Sequence, residues 1–542
     1  MESKSIKDVK KSDTDGFGMS DVMKLVGGFV FVLLVAVYVS NLADNLPGKN
    51  LLIVTAIFGA YMAMNIGAND VANNVGPAVG ANTITIFGAV IIAAIFEAAG
   101  SLIAGGDVVG TIKNGIIDPK MIKDTNTFIW LMMAALLAGA IWINIATASG
   151  APVSTTHAIV GGVAGAGIAA AGFDVVSWSK MGEIVFSWVL SPFLGAVVAA
   201  GLLLFIKRSI IHQKNMQAAA RKIVPWMIAL MAWSFGTYII LKGVRQLIQV
   251  NFLTASSIGL IFAIATYFLV KSSLIKNDDV GNDRASINTF FNIPLIFSAA
   301  LLSFAHGAND VANAIGPLAG ISDALMSGGI SSKAGIPLWV MLVGALGIVV
   351  GLSLYGPKLI KTVGSEITEL DQIRAFCVAI SAALTVIIAS QLGLPVSSTH
   401  IAVGAVFGVG FLREYLLREH HQHTIDSLSD EDLKQIQLDE EMHKLEEYKH
   451  SLESLGKLKN VDPIIVKRLM SKINDEKALI SKVYEGDLEL SKIEKKALKA
   501  VRKHELVKRS ALKMILAAWL ITVPASALLA AMFYFMIRGI LL

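Results

Sequence analysis

Cysteine is almost absent: Cys377 is the only one in 542 residues. An internal disulfide is therefore impossible, and no Cys-x-x-Cys pair exists for a metal or redox centre. Charge is scarce as well, at 16% of residues against about 25% in an ordinary soluble chain. The scarcity is uneven. Residues 413–510 hold 20 basic and 20 acidic side chains of the chain's 46 and 41, so the other 444 residues are only about one-tenth charged. Such a body cannot cover a water-facing surface, which excludes a soluble enzyme. The net charge of +5 is small for this length, and no basic stripe or aromatic platform is present, so nucleic acid is not an expected partner. The start, Met1 to Asp21, lacks the apolar core and small-residue cleavage site of a secretory leader. The first apolar run is expected to stay as a membrane helix.

What the chain does have is apolar length. Runs occupy roughly 25–42, 51–68, 83–104, 128–148, 155–172, 183–206, 225–242, 256–271, 290–306, 337–356, 375–392, 398–412 and 512–537. Each approaches the ~20 residues needed to cross ~30 Å of hydrocarbon, though several are short. Lipid offers no partner for a backbone amide, so these runs are helices. The alternating ten-residue segments of a barrel are missing. The expected fold is all-α, a polytopic membrane protein with ten to thirteen membrane segments.

Two blocks recur in the same order. Residues 67–80 read GANDVANNVGPAVG and 307–320 read GANDVANAIGPLAG, matching at ten of fourteen positions with an offset of 240. Residues 152–157 read PVSTTH and 395–400 read PVSSTH, matching at five of six with an offset of 243. The chain therefore contains two homologous halves. The organisation that follows is a polar tail 1–24, a first membrane helix and loop 25–50, repeat one 51–206, and connecting helices with basic loops 207–289. Repeat two covers 290–412 and finishes with a helix at 512–542, after an insert at 413–511.

Lysine and arginine bias supplies an orientation. Loop 207–224 carries Lys207, Arg208, Lys214, Arg221 and Lys222, and loop 271–289 carries Lys271, Lys276 and Arg284, which places both in the cytoplasm. Counting back five spans puts residue 51 outside and the amino terminus inside. The second half then starts inside, so the repeats are inverted, as in many secondary transporters. Loop 105–127 runs against the bias with Lys113, Lys120 and Lys123, balanced by Asp107, Asp118 and Asp124. The same count makes 413–511 a cytoplasmic insert. Its mixed leucines and charges at helical spacing indicate a helical hairpin or small bundle, broken at Gly456 and Pro463. His420, His421 and His423 read as a solvated helix end, because no further ligand completes a metal set.

The polar residues inside apolar sequence carry the chemistry. Asn69, Asp70 and Asn73, with Asn309, Asp310 and Asn313, stand where an ionised carboxylate is expensive, so they are functional candidates. The glycines around them and Pro77 and Pro317 are expected to open the helix and expose carbonyls. Carbonyls, Asp and Asn together make an oxygen set for a hard cation such as sodium, with Asp70, Asn69, Asp310 and Asn309 as its ligands. In the second block Pro152 and Pro395 precede a helix start, and Ser154 and Ser397 are suited to cap it. Thr155, Thr156, Ser398 and Thr399 then join free amides at a helix N-terminus, which binds an oxyanion without a lysine or arginine. His157 and His400 either donate to the ligand or tie the hairpins together. Ser154, His157 and Asp70 do not make a hydrolase, since a Ser and a His three apart on one helix form no relay and no GxSxG elbow exists. A passive channel is the rival outside the transporters.

With GANDVAN and P-V-S-[ST]-T-H each present twice, both membrane halves resemble the inorganic phosphate transporter (PiT) family. The resemblance implies a symporter importing phosphate through the plasma (inner) membrane with sodium, or alternatively protons, as coupling ion. It implies inverted repeats, re-entrant helical hairpins and no cofactor. The same family includes sulfate permeases. By this likeness the Asn and Asp of both motifs and the hydroxyls of both hairpins surround phosphate and cations, and Glu97 joins the transport core. The chain departs at Pro77 and Pro317, where many members carry Thr or Ser, and in its insert. Phosphate, a coupling cation and the lipid bilayer are the expected partners, with room for a homodimer and for a regulatory protein at the insert.

Overall fold

The structure, a computed structural model, describes residues 19–44, 46, 48–148, 153–243, 250–276, 281–327, 329, 335–363, 370–427, 442, 444–452, 463–484 and 509–541. Among these residues there is no strand, only one isolated antiparallel bridge between Ile117 and Val176. The long helices are α1 (Met19–Leu42), α2 (Lys49–Gly80) and α3 (Ile86–Ala104), followed by a short α4 (Gly106–Gly110). Then come α5 (Thr125–Ala148), α6 (Thr155–Ala171), α7 (Trp178–Ile206), α8 (Met216–Lys242) and α9 (Phe252–Lys276). A short α10 (Arg284–Thr289) leads into α11 (Asn292–Ser327), α12 (Leu338–Val363), α13 (Gln372–Gln391) and α14 (Ser398–Ser427). The last two are α15 (Pro463–Tyr484) and α16 (Arg509–Leu541). Twelve helices among the described residues are long and apolar enough to cross a membrane, and α6, at 17 residues, is a shorter apolar helix. This is an integral, multi-pass membrane protein.

The chain divides into two compact units, Met1–Val409 with Lys508–Leu542, and Gly410–Val507. In the second unit the Lys472 ammonium lies 5.2 Å from the Tyr448 ring centre. The side chains of His420, His421 and His423 lie outside the described residues, as does Pro152. The first helix begins at Met19, ahead of the apolar run that announced it.

The repeats are α2, α3, α5, α6, α7 and α11, α12, α13, α14, α16, separated by α8 and α9. The first repeat holds an odd number of helices, with α5 and α6 paired as a hairpin, and α8 and α9 then return the chain to the side where it ended, so the second repeat runs inverted. The repeats are also interlocked: α2 packs on α12 and α3 on α11, while α6 packs on α16. A Cβ at Gly67 would lie 2.0 Å from the Ile348 carbonyl oxygen, and one at Gly307 would lie 2.1 Å from that of Glu97. Equivalent glycines thus meet equivalent backbones. Gly165 against Ala527 and Gly408 against Ala196 repeat the pattern for the hairpins.

One expectation needs correction. The glycines do not open either GANDVAN helix: α2 and α11 run through the motif, with Pro77 and Pro317 inside them. Close packing against α12 and α3 supplies what the poor helix propensity of glycine lacks. Proline still removes one amide, so only the carbonyls of Asn73 and Asn313, four residues earlier, lose their usual helical donor.

Candidate functional site

Two helical hairpins point at each other across the body, α5–α6 and α13–α14. Both are capped by the same chemistry. Asp124 accepts from the Thr127 amide at 2.8 Å and Asp371 from the Arg374 amide at 2.9 Å, which fixes where each hairpin starts. Asp124 lies outside the spans, and the Thr127 amide holds its carboxyl below the usual carboxylate range. Returning from the tip, Ser154 accepts from the His157 amide at 3.1 Å and Ser397 from the His400 amide at 3.3 Å. The two tips touch. The Thr156 hydroxyl donates to the Val396 carbonyl at 2.9 Å, and from α7 the Trp188 indole donates to the Pro395 carbonyl at 2.9 Å.

The GANDVAN segments reach this junction from the side, and nearly every link crosses between elements. Asp70 accepts from Thr155 at 3.1 Å and from Thr399 at 2.9 Å, so one carboxylate is held by both hairpins. Asp310 accepts from Ser398 at 2.9 Å. Asn73 donates to Thr399 at 2.9 Å, while Asn313 donates to Thr155 at 3.3 Å and Thr156 at 3.1 Å. Asn69 donates to Thr147 at 2.7 Å. With the Asn309 amide oriented by its neighbours, its nitrogen donates to Asp310 at 2.9 Å and the Val396 carbonyl at 3.0 Å, and its oxygen accepts from Ser390 at 2.9 Å. Asp70 and Asp310 are both 1% exposed. Buried carboxylates held by hydroxyls and carboxamides, with no arginine or lysine among these partners, form a site able to trade those donors for a ligand.

Residues missed by sequence reasoning complete the cluster. His306, fully buried, brings Nε2 to 2.9 Å from Asp310 Oδ2 and 3.6 Å from Asp70 Oδ2. Its Nδ1 is 3.2 Å from Glu97 Oε2, and the other Glu97 oxygen accepts from Asn74 at 2.8 Å. The signal for His306 was available: it stands four residues before Asp310, hence on the same helix face. Asp70, His306 and Asp310 offer ligand atoms that all lie within 4.8 Å of one another. Other candidates sit differently. The Ser154 and Ser397 hydroxyls are engaged as caps rather than aimed at the carboxylates. His157 and His400 face each other with ring centres 4.9 Å apart, and His157 lies 3.8 Å from the Trp188 ring centre, between the hairpins.

Inverted, interlocked repeats whose opposed hairpins close on buried carboxylates define a membrane transporter. The model of the phosphate transporter family matches residues 66–530. A Helicobacter pylori protein provisionally named a phosphate permease is 49% identical over 549 residues, covering 98% of each chain. A similarly named Pyrococcus furiosus protein is 40% identical over 365 residues, covering 67% of this chain and 88% of its own. A solved structure described as the sodium-dependent phosphate transporter is 30% identical with a TM-score of 0.70, covering 91% of this chain and 100% of that one. The chain belongs to the phosphate transporter family.

Proposed function

We propose that this protein imports inorganic phosphate across the plasma membrane by alternating access, coupled to sodium. The observation that carries the reading is the set of hydroxyls from both hairpins that donate to Asp70 and Asp310. A cation on those carboxylates competes for the same lone pairs. Once it binds, Thr155, Ser398 and Thr399 are released to donate to an oxyanion, and the negative field that would repel the anion is neutralised. Cation first and phosphate second is the order this arrangement favours. Asp70, Asn69, Asp310 and Asn309 hold the cation; Asn73, Asn313, Thr155, Thr156, Ser398 and Thr399 meet the phosphate, with Ser154 and Ser397 shaping the tips. His306 ties Asp310 to Glu97. The family membership and the description of the solved relative support phosphate and sodium respectively.

Labelled-phosphate uptake into proteoliposomes, with sodium and proton gradients imposed separately, tests this. Uptake driven by sodium alone is expected. A proton-driven flux reassigns the coupling ion, sulfate uptake without phosphate moves the substrate, and ungated conductance points to a channel. The insert, flanked by Arg413, Arg418, Lys508 and Arg509, is assigned to the cytoplasm and to regulation. Deletion of 420–505 is expected to leave transport in place, and loss of all uptake in a normally inserted variant counts against that role.

A further inference from the structure

The offsets of 240 and 243 allow the surroundings of the two motifs to be compared position by position. Asn69 with Thr147 corresponds to Asn309 with Ser390, and both pairs are in contact. One helical turn earlier the likeness ends. In the first repeat the Asn144 amide donates to the Asn65 oxygen at 3.1 Å, and the Asn65 amide donates to the Tyr61 carbonyl at 2.9 Å. In the second repeat the corresponding residues are Ala305 and Ile387. Ile387 packs against an apolar cluster that contains Phe304 and Tyr238 of α8.

Exposure follows the same division. Ala305, Asn309, Asn313 and Ser390 are all at 0% and Ile387 is half-buried, whereas Asn65 is at 7%, Asn69 at 6%, Asn73 and Thr147 are half-buried, and Asn144 is exposed. Asn144 lies inside the apolar span Thr125–Ala148. A carboxamide exposed to hydrocarbon there would be left with unsatisfied polar groups, so water or protein must face it. The polar positions follow one another from Asn144 to Asn65 and then, at four-residue spacing along one face of α2, to Asn69 beside Thr147 and Asn73 beside Thr399. None of them is acidic. Carboxamide and hydroxyl donors can therefore meet a hydrated oxyanion before it reaches the field of Asp70.

We infer that the polar seam between α2 and α5, formed by Asn65, Asn144, Asn69 and Thr147, is the aqueous path to the central cluster and a loading subsite for the transported oxyanion. The second repeat's equivalent is sealed by Ala305, Ile387 and the Phe304–Tyr238 cluster. This deepens the transport reading above, yet its main test does not depend on transport. Single cysteines Asn144→Cys, Ile145→Cys and Ile387→Cys are placed on a Cys377→Ala background and exposed to a small, charged, membrane-impermeant thiol reagent. Ile145, 54% exposed beside Asn144, reports a neighbouring surface of the same helix.

Asn144→Cys is expected to react at least tenfold faster than either control, from one side of the membrane only, and inorganic phosphate should slow it. Reaction no faster than Ile145→Cys, or cross-linking of Asn144→Cys to a second copy by a short bis-thiol reagent, overturns the path. Phosphate leaving the rate unchanged overturns the loading subsite. As a second measurement, Asn65→Ala with Asn144→Ile installs the second repeat's own residues. Loss of two neutral hydrogen bonds should lower kcat/KM for phosphate by roughly five- to twentyfold at unchanged membrane abundance. Unaltered kcat/KM overturns the subsite as well. If the unsubstituted protein transports no phosphate, the functional reading fails while the labelling still decides the path.

Discussion

The two repeats carry the same carboxylate, the same carboxamides and the same doubly capped hairpin, but differ in what stands behind them. Behind Asp310 lies a chain of buried polar groups, His306, Glu97 and Asn74. The positions related to these by the repeat are Ile66, Ile348 and Ala314, all fully buried. The first repeat instead extends its polarity forward, through Asn65 and Asn144. Duplication has thus kept the groups proposed to meet ligand in both halves, while the surroundings of each half have diverged in a different direction. The difference teaches that symmetry of fold is not symmetry of role: in the proposal made above one side provides access, and the other anchors the charge.

The largest effect is expected from removing the shared element. Asp70→Asn and Asp310→Asn keep size and replace a charge, so expression should change little. Either should reduce apparent sodium affinity a hundredfold or more, since a charge in a dry ion site is worth several kcal/mol and each 1.4 kcal/mol is tenfold. Sodium titrations of phosphate uptake measure it, and unaltered ion dependence in both variants would make the carboxylates structural.

Next comes the asymmetric pair. His306→Ile, the first repeat's own residue, leaves Glu97 buried opposite an apolar side chain and should destabilise the protein by about 3–5 kcal/mol. Adding Glu97→Ile, the residue at the related position 348, removes the stranded carboxylate and should recover much of that loss in thermal unfolding of the purified protein. A double variant as unstable as the single one would show that the two side chains do not act as a pair.

How much of this was legible in sequence divides along the same line. The motifs were found because they are duplicated, and duplication also located Asn309, Asn313, Ser398 and Thr399 by reference to their copies. His306, Asn74, Asn65 and Asn144 escaped for the converse reason: their copies are Ile, Ala, Ala and Ile, so comparison of the halves discards them. Glu97 entered only through family likeness. Its contact with His306 joins residues far apart in the chain, which no local period can signal. The unbroken course of α2 and α11 was also hidden, because glycine propensity is a local quantity and the packing that overrides it is tertiary.

Smaller effects test the parts that did stay alike. Ser154→Ala and Ser397→Ala each remove one cap, worth roughly 1 kcal/mol, and should weaken phosphate affinity by less than about tenfold. Near-equal losses are expected, and a clear inequality would break the equivalence of the tips. At the far ends of the hairpins, Asp124→Ala should cost about 1 kcal/mol of thermal stability and Asp371→Ala rather more. Asp371 also meets Arg284 at 3.2 Å and Arg374 at 3.3 Å. Because the Asp124 carboxyl is held low in the folded state, its contribution is present above the ordinary carboxylate range and fades as pH falls through that range and below. The Asp124→Ala penalty should therefore shrink in acid, as unfolding measured at about pH 7 and about pH 2 would reveal.

The exchange of partners between repeats has a consequence for how the chain is made. The Gly67 face of α2 is shaped for α12, and the Gly307 face of α11 for α3, so the first repeat leaves the ribosome a half-chain before its matching surfaces exist. Until then α2 and α3 hold Asp70 and Glu97 in the membrane without the helices that enclose them. Final assembly must wait for long-range pairing, the slow kind. A protein truncated after α9 should consequently be recognised by quality control as incomplete, even though every helix of one whole repeat has already been synthesised.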